Sequence, residues 1–389
     1  MQNVYFLGAT DRFNYGDLLF PHIVDYYIKS LDEKNEIKVE NYATIESNLE
    51  NIGAKKTKSF GDLVADTKIT NNVSIIVVGG EVLGAGWLVI YSFLYSIFKL
   101  IRKKDWYNTN RYLRRFLNYS FFPVRYSKYP FTLTKKDFPS VKNIIYNSVG
   151  GSVSCQLQDD FIDSSAFLSL RTKNDVAGFK KNDNIKLLPD SAILMSNIWT
   201  KSILEAKIKF AKRNPYKEYI FFQINKEEGL LHKDTICDKL ENLHQKTNLP
   251  IVLCPIGLAL GHEDQVALSA IAKQMQIPHF YCKEPNIWDV MYLISESKLF
   301  LGTSLHGVIT AMSFSVPYLG IKRGNNKIQK YLSSWAIEDL SESVSVENMS
   351  DKACFVLNKD ISNELKQSAD RMKKMSLDGL KGIYDTIVR

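Results

Sequence analysis

Short apolar runs bounded by Gly, Asn or Pro alternate with segments of helical spacing along most of this chain. Runs at 4–7, 37–39, 73–78, 143–148 and 185–188 predict one series of strands, and runs at 219–223, 251–254, 279–282, 298–301 and 318–321 a second. Helices are predicted to start near Gly16, Ser164, Ile198, Lys233, Asp264, Ile287, Ser304 and Asn326, with a last one from about residue 362 onward. Strand then helix, repeated, predicts an α/β chain of parallel sheets with helices on both faces. The polar piece at 196–215 reads as a connector. The expected organisation is therefore a domain over 1–195 with an insert at about 87–135, a second over 216–345, and a helical segment over 346–389.

Ligands of open α/β sheets sit beyond the carboxyl ends of the strands. Those places are taken here by Gly8-Ala9-Thr10, Gly79-Gly80-Glu81, Gly150-Gly151-Ser152 and Pro189-Asp190-Ser191 in the first series. Gln223-Ile224-Asn225, Pro255-Ile256-Gly257 and Gly302-Thr303-Ser304 take them in the second. So many Gly and polar turns at one edge of two sheets imply a substrate cleft between two facing domains. The stretch 300–311 carries most: a buried strand ends at Leu301, Gly302-Thr303-Ser304 turns the chain, and Leu305, Val308, Ile309 and Met312 continue at helical spacing. Ser304 or Thr303 is the expected N-cap, and the amides of that first turn favour an anion. His306 on the same turn places a proton donor beside a phosphate cradle. A His that only caps or packs is the plainer alternative, but the glycines, hydroxyls and strand-to-helix context favour chemistry on a phosphorylated substrate.

In order and spacing these residues resemble the polysaccharide pyruvyl transferase family. Asn14-Tyr15-Gly16-Asp17 is similar to its Asn-x-Gly-Asp signature. Gly79-Gly80, Ser169-Leu170-Arg171, Pro189-Asp190 and Gly302-Thr303-Ser304-Leu305-His306-Gly307 follow, then Pro317 and Lys327. The resemblance spans roughly 1–335 without the insert. It implies two Rossmann-like domains facing across a cleft in a GT-B-like arrangement, the N-terminal one on the acceptor side and the C-terminal one on the donor side. It also implies transfer of the enolpyruvyl group of phosphoenolpyruvate to a sugar of a cell-surface polysaccharide or lipid-linked precursor, giving a pyruvate ketal. Phosphoenolpyruvate is then a co-substrate, with no cofactor and no metal.

On this reading His306 is the general acid and Asp17 the base, with Asp190 as the second choice. Gly302, Thr303, Ser304, Leu305, Gly307, Gln223 and Asn225 contact the donor; Asn14, Gly16, Gly79, Gly80, Glu81 and Asp190 contact the acceptor. Plainer readings stand beside these: Asp17 as a helix N-terminal cap, Asp190 as a turn carboxylate, Glu81 as a solvated turn residue. One departure matters, since many members carry Gly-Thr-Arg-Leu-His and here Ser304 holds the Arg position. A cation from Lys322, Arg323, Lys327 or Arg171 is expected to complete the anion site. A nucleotide-sugar glycosyltransferase of GT-B type, and a non-catalytic saccharide-binding relative, are the competing functions. The Glu-x7-Glu pattern of many retaining glycosyltransferases is absent.

Composition changes the picture in one place. The chain has 389 residues, long enough for two cores, and a net charge of +8. Between residues 99 and 128 nine Lys or Arg stand against Asp105 alone, an excess equal to the whole net charge. An apolar, aromatic run at 87–101 precedes them, too short and polar to span a membrane. Aromatic and cationic residues together suit an anionic membrane surface, which fits an acceptor carried on a lipid diphosphate. A core helix with a basic acceptor-binding face reads equally well. With no RNA module elsewhere, nucleic acid is not an expected partner. Five scattered cysteines without CxxC spacing, and no signal-like N-terminus, predict a cytoplasmic protein, peripheral at the inner face of the cell membrane.

Overall fold

In a computed structural model the described residues are 2–103, 128–181, 183–322 and 327–389. Arg323, Asn326 and the stretch 104–127 lie outside them. The first sheet contains β1 (Gln2–Leu7), β2 (Ile37–Tyr42), β3 (Val73–Val77), β4 (Glu81–Leu83), β5 (Asn143–Gly151), β6 (Ser165–Leu170) and β7 (Lys186–Leu187). Its order is β2-β1-β3-β5-β6-β7, with β4 beside β5, and every pairing is parallel. The second sheet contains β8 (Ile220–Gln223), β9 (Ile251–Leu253), β10 (His279–Tyr281), β11 (Leu299–Gly302) and β12 (Tyr318–Gly320) in the order β10-β9-β8-β11-β12, again all parallel.

Both strand orders follow from covering a sheet on two sides. Alternate residues of the central strands feed separate cores: Val4, Phe6, Ile76 and Ile145 face one way, and Tyr5, Leu7, Ile75 and Ile144 the other. Such strands read as unbroken apolar runs, which is why β1, β3, β5, β8, β9, β11 and β12 are legible in the sequence. The helix predicted near Ser164 is a correction. Helix Gln158–Ser164 ends there, and β6 starts at Ser165 with no turn between them. Phe161 and Leu168 stand seven residues apart, two helical turns, and therefore read as one helical face, although the first is on the helix and the second on the strand. The strand predicted at 185–188 shrinks to β7, and β4 carries too few apolar residues to signal itself.

The two halves are stitched through the first helix, Tyr15–Leu31. Tyr15 N–H donates to Ile256 O (3.2 Å), and the Tyr15 and Thr310 hydroxyls share a hydrogen bond of 3.0 Å. Asn14 forms an isolated antiparallel bridge with Gly257. His22 lies against Trp199 and Trp288, with ring centroids 6.2 and 5.8 Å away. The polar stretch 196–215 is anchored to the second half by Asp289, whose Oδ1 accepts from the amides of Lys209, Phe210 and Ala211. Helix Ser362–Val388 then returns to the first sheet. It lies so close that a Cβ on Gly382 would come within 2.9 Å of Phe167, and Asn143 Nδ2 donates to Thr386 O (3.1 Å).

Candidate active site

Strand order dictates where a ligand can enter. The strand order of the first sheet reverses between β1 and β3, that of the second between β8 and β11, and a crevice opens at each such switch point. The two crevices face each other and form one cleft of about 220 Å³. Arg12, Asn14 and Asp17 line it from the loop and helix after β1, and Glu81 and Val82 from β4. Gln223 and Asn225 after β8, Ile256 and Gly257 after β9, and Thr303, Ser304, Leu305 and His306 after β11 form the opposite wall.

Ser304 is the N-cap of helix Leu305–Ser313, its Oγ accepting from Gly307 N–H at 3.2 Å. The N–H groups of Leu305 and His306 have no intrahelical acceptor by helix geometry, so this end of the wall favours anions. Thr303 Oγ1 accepts from Asn225 N–H at 3.1 Å, which ties β11 to β8. Gln223 Nε2 donates to Asp264 Oδ2 (2.8 Å), and the same oxygen accepts the amides of Ile256 and Gly257. Gly302 and Gly307 do not line the cleft. They let the helix close on its strand, since a Cβ at 307 would come within 2.3 Å of the Phe300 ring.

His306 is 8% exposed. Its ring meets Phe20 edge-on at 5.5 Å and packs on Gly16, where a Cβ would fall 1.9 Å from Cγ and Nδ1. Nε2 is enclosed, has no hydrogen-bond partner among the described residues, and lies 3.6 Å from Asp190 Oδ2. That oxygen also accepts from Arg171 Nη1 at 3.0 Å, while Arg171 Nη2 donates to Glu81. Burial would raise the Asp190 carboxyl, but His306, Arg171 and the Ala192 N–H outweigh it and hold the pKa below the ordinary range. Burial would likewise raise Glu81, and the charges of Arg171 and Lys327 pull it down. Desolvation acts against the Arg171 charge, and its two carboxylates more than compensate, raising its pKa. The result is a chain Glu81–Arg171–Asp190–His306 that fixes one ionised carboxylate behind the imidazole.

Asp17 is the third residue of its helix, where a carboxylate is favoured by the helix dipole. Asn14 Nδ2 donates to its Oδ2 at 2.6 Å, and its Oδ1 packs over Gly80, where a Cβ would be 3.1 Å away. Gly80 has φ +93°, a backbone that favours glycine. Gly79 stands back from the cleft against Phe20.

Of the expected cations, Lys327 lines the cleft. Lys322 is exposed and does not line it. Arg171, expected at the donor phosphate, lies instead behind the wall, 1% exposed and held by Glu81 and Asp190. It reaches that place because Gly150 has no Cβ: one there would stand 2.6 Å from Arg171 Nε. Arg323 is among the residues outside the described ones. Sequence reasoning misses Arg12, Phe93, His262 and Asp264, all of which line the cleft. The signal available for Arg12 is its position two residues before Asn14 in the loop after β1.

The family profile described as polysaccharide pyruvyl transferase matches residues 14–325. Among curated protein sequences none matches the chain. Similar solved structures include the UDP-GlcNAc 2-epimerase of Neisseria meningitidis bound to UDP-GlcNAc, at 11% identity, 100% of each chain covered and a TM-score of 0.54. The UDP-GlcNAc 2-epimerase of Methanocaldococcus jannaschii is 10% identical, with 92% of this chain and 94% of that chain covered and a TM-score of 0.53. MnaA of S. aureus with UDP is 11% identical, with 97% and 94% covered and a TM-score of 0.53. At such identities the likeness shows the fold, two Rossmann-like domains of GT-B type. The profile match runs from Asn14 on one wall of the cleft past His306 on the other, and the chain belongs to the polysaccharide pyruvyl transferase family.

Proposed function

We propose that this chain transfers the enolpyruvyl group of phosphoenolpyruvate to two hydroxyls of a sugar, forming a pyruvate ketal. The observation that carries the reading is the enclosed His306 with Asp190 at 3.6 Å, on a wall shared with the anion-favouring turn at Ser304. His306 protonates the methylene carbon of the enol phosphate, and Asp190 stabilises the imidazolium before transfer. The cation left at C2 takes one sugar hydroxyl. The C–O bond to phosphate then breaks, and the second hydroxyl closes the ketal. Of the two hydroxyl protons, Asp17 accepts one as base and the departing phosphate carries the other. The Leu305 and His306 amides and Lys327 stabilise that phosphate as it leaves.

The acceptor reaches the cleft from a lipid carrier at an anionic membrane surface. This is supported by the exposed Tyr95, Ile97 and Leu100 beside the basic stretch 99–128. No described helix is long and apolar enough to cross a membrane.

The test is incubation with phosphoenolpyruvate and candidate oligosaccharides, reading phosphate release and the mass gain of a ketal. His306→Gln should keep the fold and lower turnover by roughly two to four orders of magnitude. Thermal stabilisation by UDP-GlcNAc and not by phosphoenolpyruvate would transfer the site to nucleotide-sugar chemistry. Stabilisation by glycans alone would favour a binding protein.

A further inference from the structure

Arg12 sits one residue from Asp11, a buried carboxylate whose Oδ2 accepts the amides of Thr44 and Ile45 at 3.0 and 3.2 Å. Asp11 Oδ1 accepts from Arg12 Nη1 at 2.6 Å, which fixes one edge of the guanidinium. Its face rests on Phe93, with Cζ 5.4 Å from the ring centroid. Phe93 is itself held from the other half of the molecule. His262 stacks on it at 5.7 Å with a 19° tilt, and Gly261 approaches so closely that a Cβ would lie 3.0 Å from Phe93 Cε1. Lys99 pairs with Glu263 in the same loop and Lys226 with the other oxygen of Glu263, at 3.0 Å, so the platform is clipped to the second half.

A guanidinium braced on one edge and one face keeps its remaining N–H groups oriented, the geometry that suits phosphate. Among the described residues that line the cleft, the Arg and Lys side chains are Arg12 and Lys327. Arg171 is consumed by Glu81 and Asp190, and Ser304 brings no charge. We propose that Arg12, braced by Asp11 and Phe93, is the guanidinium that holds a substrate phosphate group in this cleft. The inference deepens the proposed function and rests on it for the substrate's identity, but not for the phosphate chemistry. The phosphate can be that of phosphoenolpyruvate or the diphosphate of a lipid-carried acceptor, and kinetics separates the two.

The experiment is calorimetric titration of the full chain with inorganic phosphate, joined to KM measurements for donor and acceptor. Arg12→Ala should weaken phosphate binding by at least about tenfold, with Arg12→Lys recovering part of the loss. A matching rise in KM for phosphoenolpyruvate assigns the donor phosphate, and a rise confined to the acceptor assigns the carrier diphosphate. If Arg12→Ala does not fold, Phe93→Leu removes the platform and leaves the Asp11 pair, and a several-fold loss of phosphate affinity is expected. Wild-type protein that binds no phosphate, or a folded Arg12→Ala (Phe93→Leu, where Arg12→Ala does not fold) that binds it as wild type does, overturns the proposal and leaves Arg12 as the partner of Asp11. If no pyruvyl transfer is found at all, the phosphate titration still decides.

Discussion

Gly16→Ala adds one methyl group where the structure has no room for it. The new Cβ would lie 1.9 Å from His306 Cγ and Nδ1. Carbon contacts relax near about 3.5 Å, so roughly 1.5 Å must be found by the ring or by the start of the first helix. The ring cannot simply swing away, because Phe20 meets it at 5.5 Å on one side and Asp190 stands 3.6 Å from Nε2 on another. Overpacking of this kind costs about 1–3 kcal/mol. A misplacement of about 1 Å at a reacting group costs on the order of a hundredfold in rate. The expectation is therefore a folded protein with a lowered Tm and a kcat reduced about a hundredfold or more, while KM for the donor moves little. Phosphate release with phosphoenolpyruvate and acceptor, beside thermal unfolding, measures both. A variant with kcat within about threefold of wild type and an unchanged Tm would refute the reasoning, because it would show that His306 need not lie against residue 16 during turnover.

His22 is held near a pKa of about 4, against 6.5 in a free side chain, by burial first and by the Lys55 charge second. The unfolded chain takes up that proton below 6.5 and the native one only near 4. The contribution is therefore complete above 6.5 and is lost as pH falls toward 4, roughly 3 kcal/mol across that span. Urea midpoints should fall less steeply with acid in His22→Gln than in wild type, and parallel pH curves would reject the assignment. Arg171→Met removes the cation that Asp190 and Glu81 share, which should cost about 3–5 kcal/mol at neutral pH. Both carboxyls have native pKa values below the ordinary 3.8 and 4.5, so in wild type their contribution stands above that range and is lost only as pH falls through the lower native values. In the variant Asp190 keeps only His306 and the Ala192 N–H, and Glu81 loses the first of the charges that lower it, so both carboxyls protonate more readily and denaturation at pH 5 should show a smaller loss than at pH 7; a loss under about 1 kcal/mol at both would contradict the buried ion chain. Sedimentation with anionic vesicles should carry the protein down at low salt and release it as salt rises, and Ile97→Glu with Leu100→Glu should weaken it. Absence of binding to anionic vesicles removes the membrane contact.

The central strands were readable because they are buried on both faces and leave apolar runs. The N-cap at Ser304 was readable because cap, glycine and helical spacing are all local. What stayed hidden depends on contacts between distant segments. Arg12 has no periodic neighbours, and its setting is made by Phe93 and His262, which come from elsewhere in the chain. Arg171 carries the right chemistry for an anion, yet whether it faces the cleft or the wall is decided by the missing Cβ of Gly150. The junction at Ser164 and Ser165 was illegible for another reason: with no turn residue between helix and strand, the two apolar patterns fuse.

Helix Ser362–Val388 has a consequence for the order in which the molecule is built. The strands it covers are made long before it: Asn143 on β5 waits for its partner Thr386, 243 residues downstream. During synthesis the surface around Phe167 on β6 and Leu188 just after β7, which packs against Gly382 and Gly379, therefore stays uncovered while the whole second sheet is made. Domains of a multidomain chain commonly fold as units on the ribosome, and here the first half lacks its covering helix until the last residues are made. Its apolar face is open to chaperones and to other nascent chains for that interval, until the last helix docks.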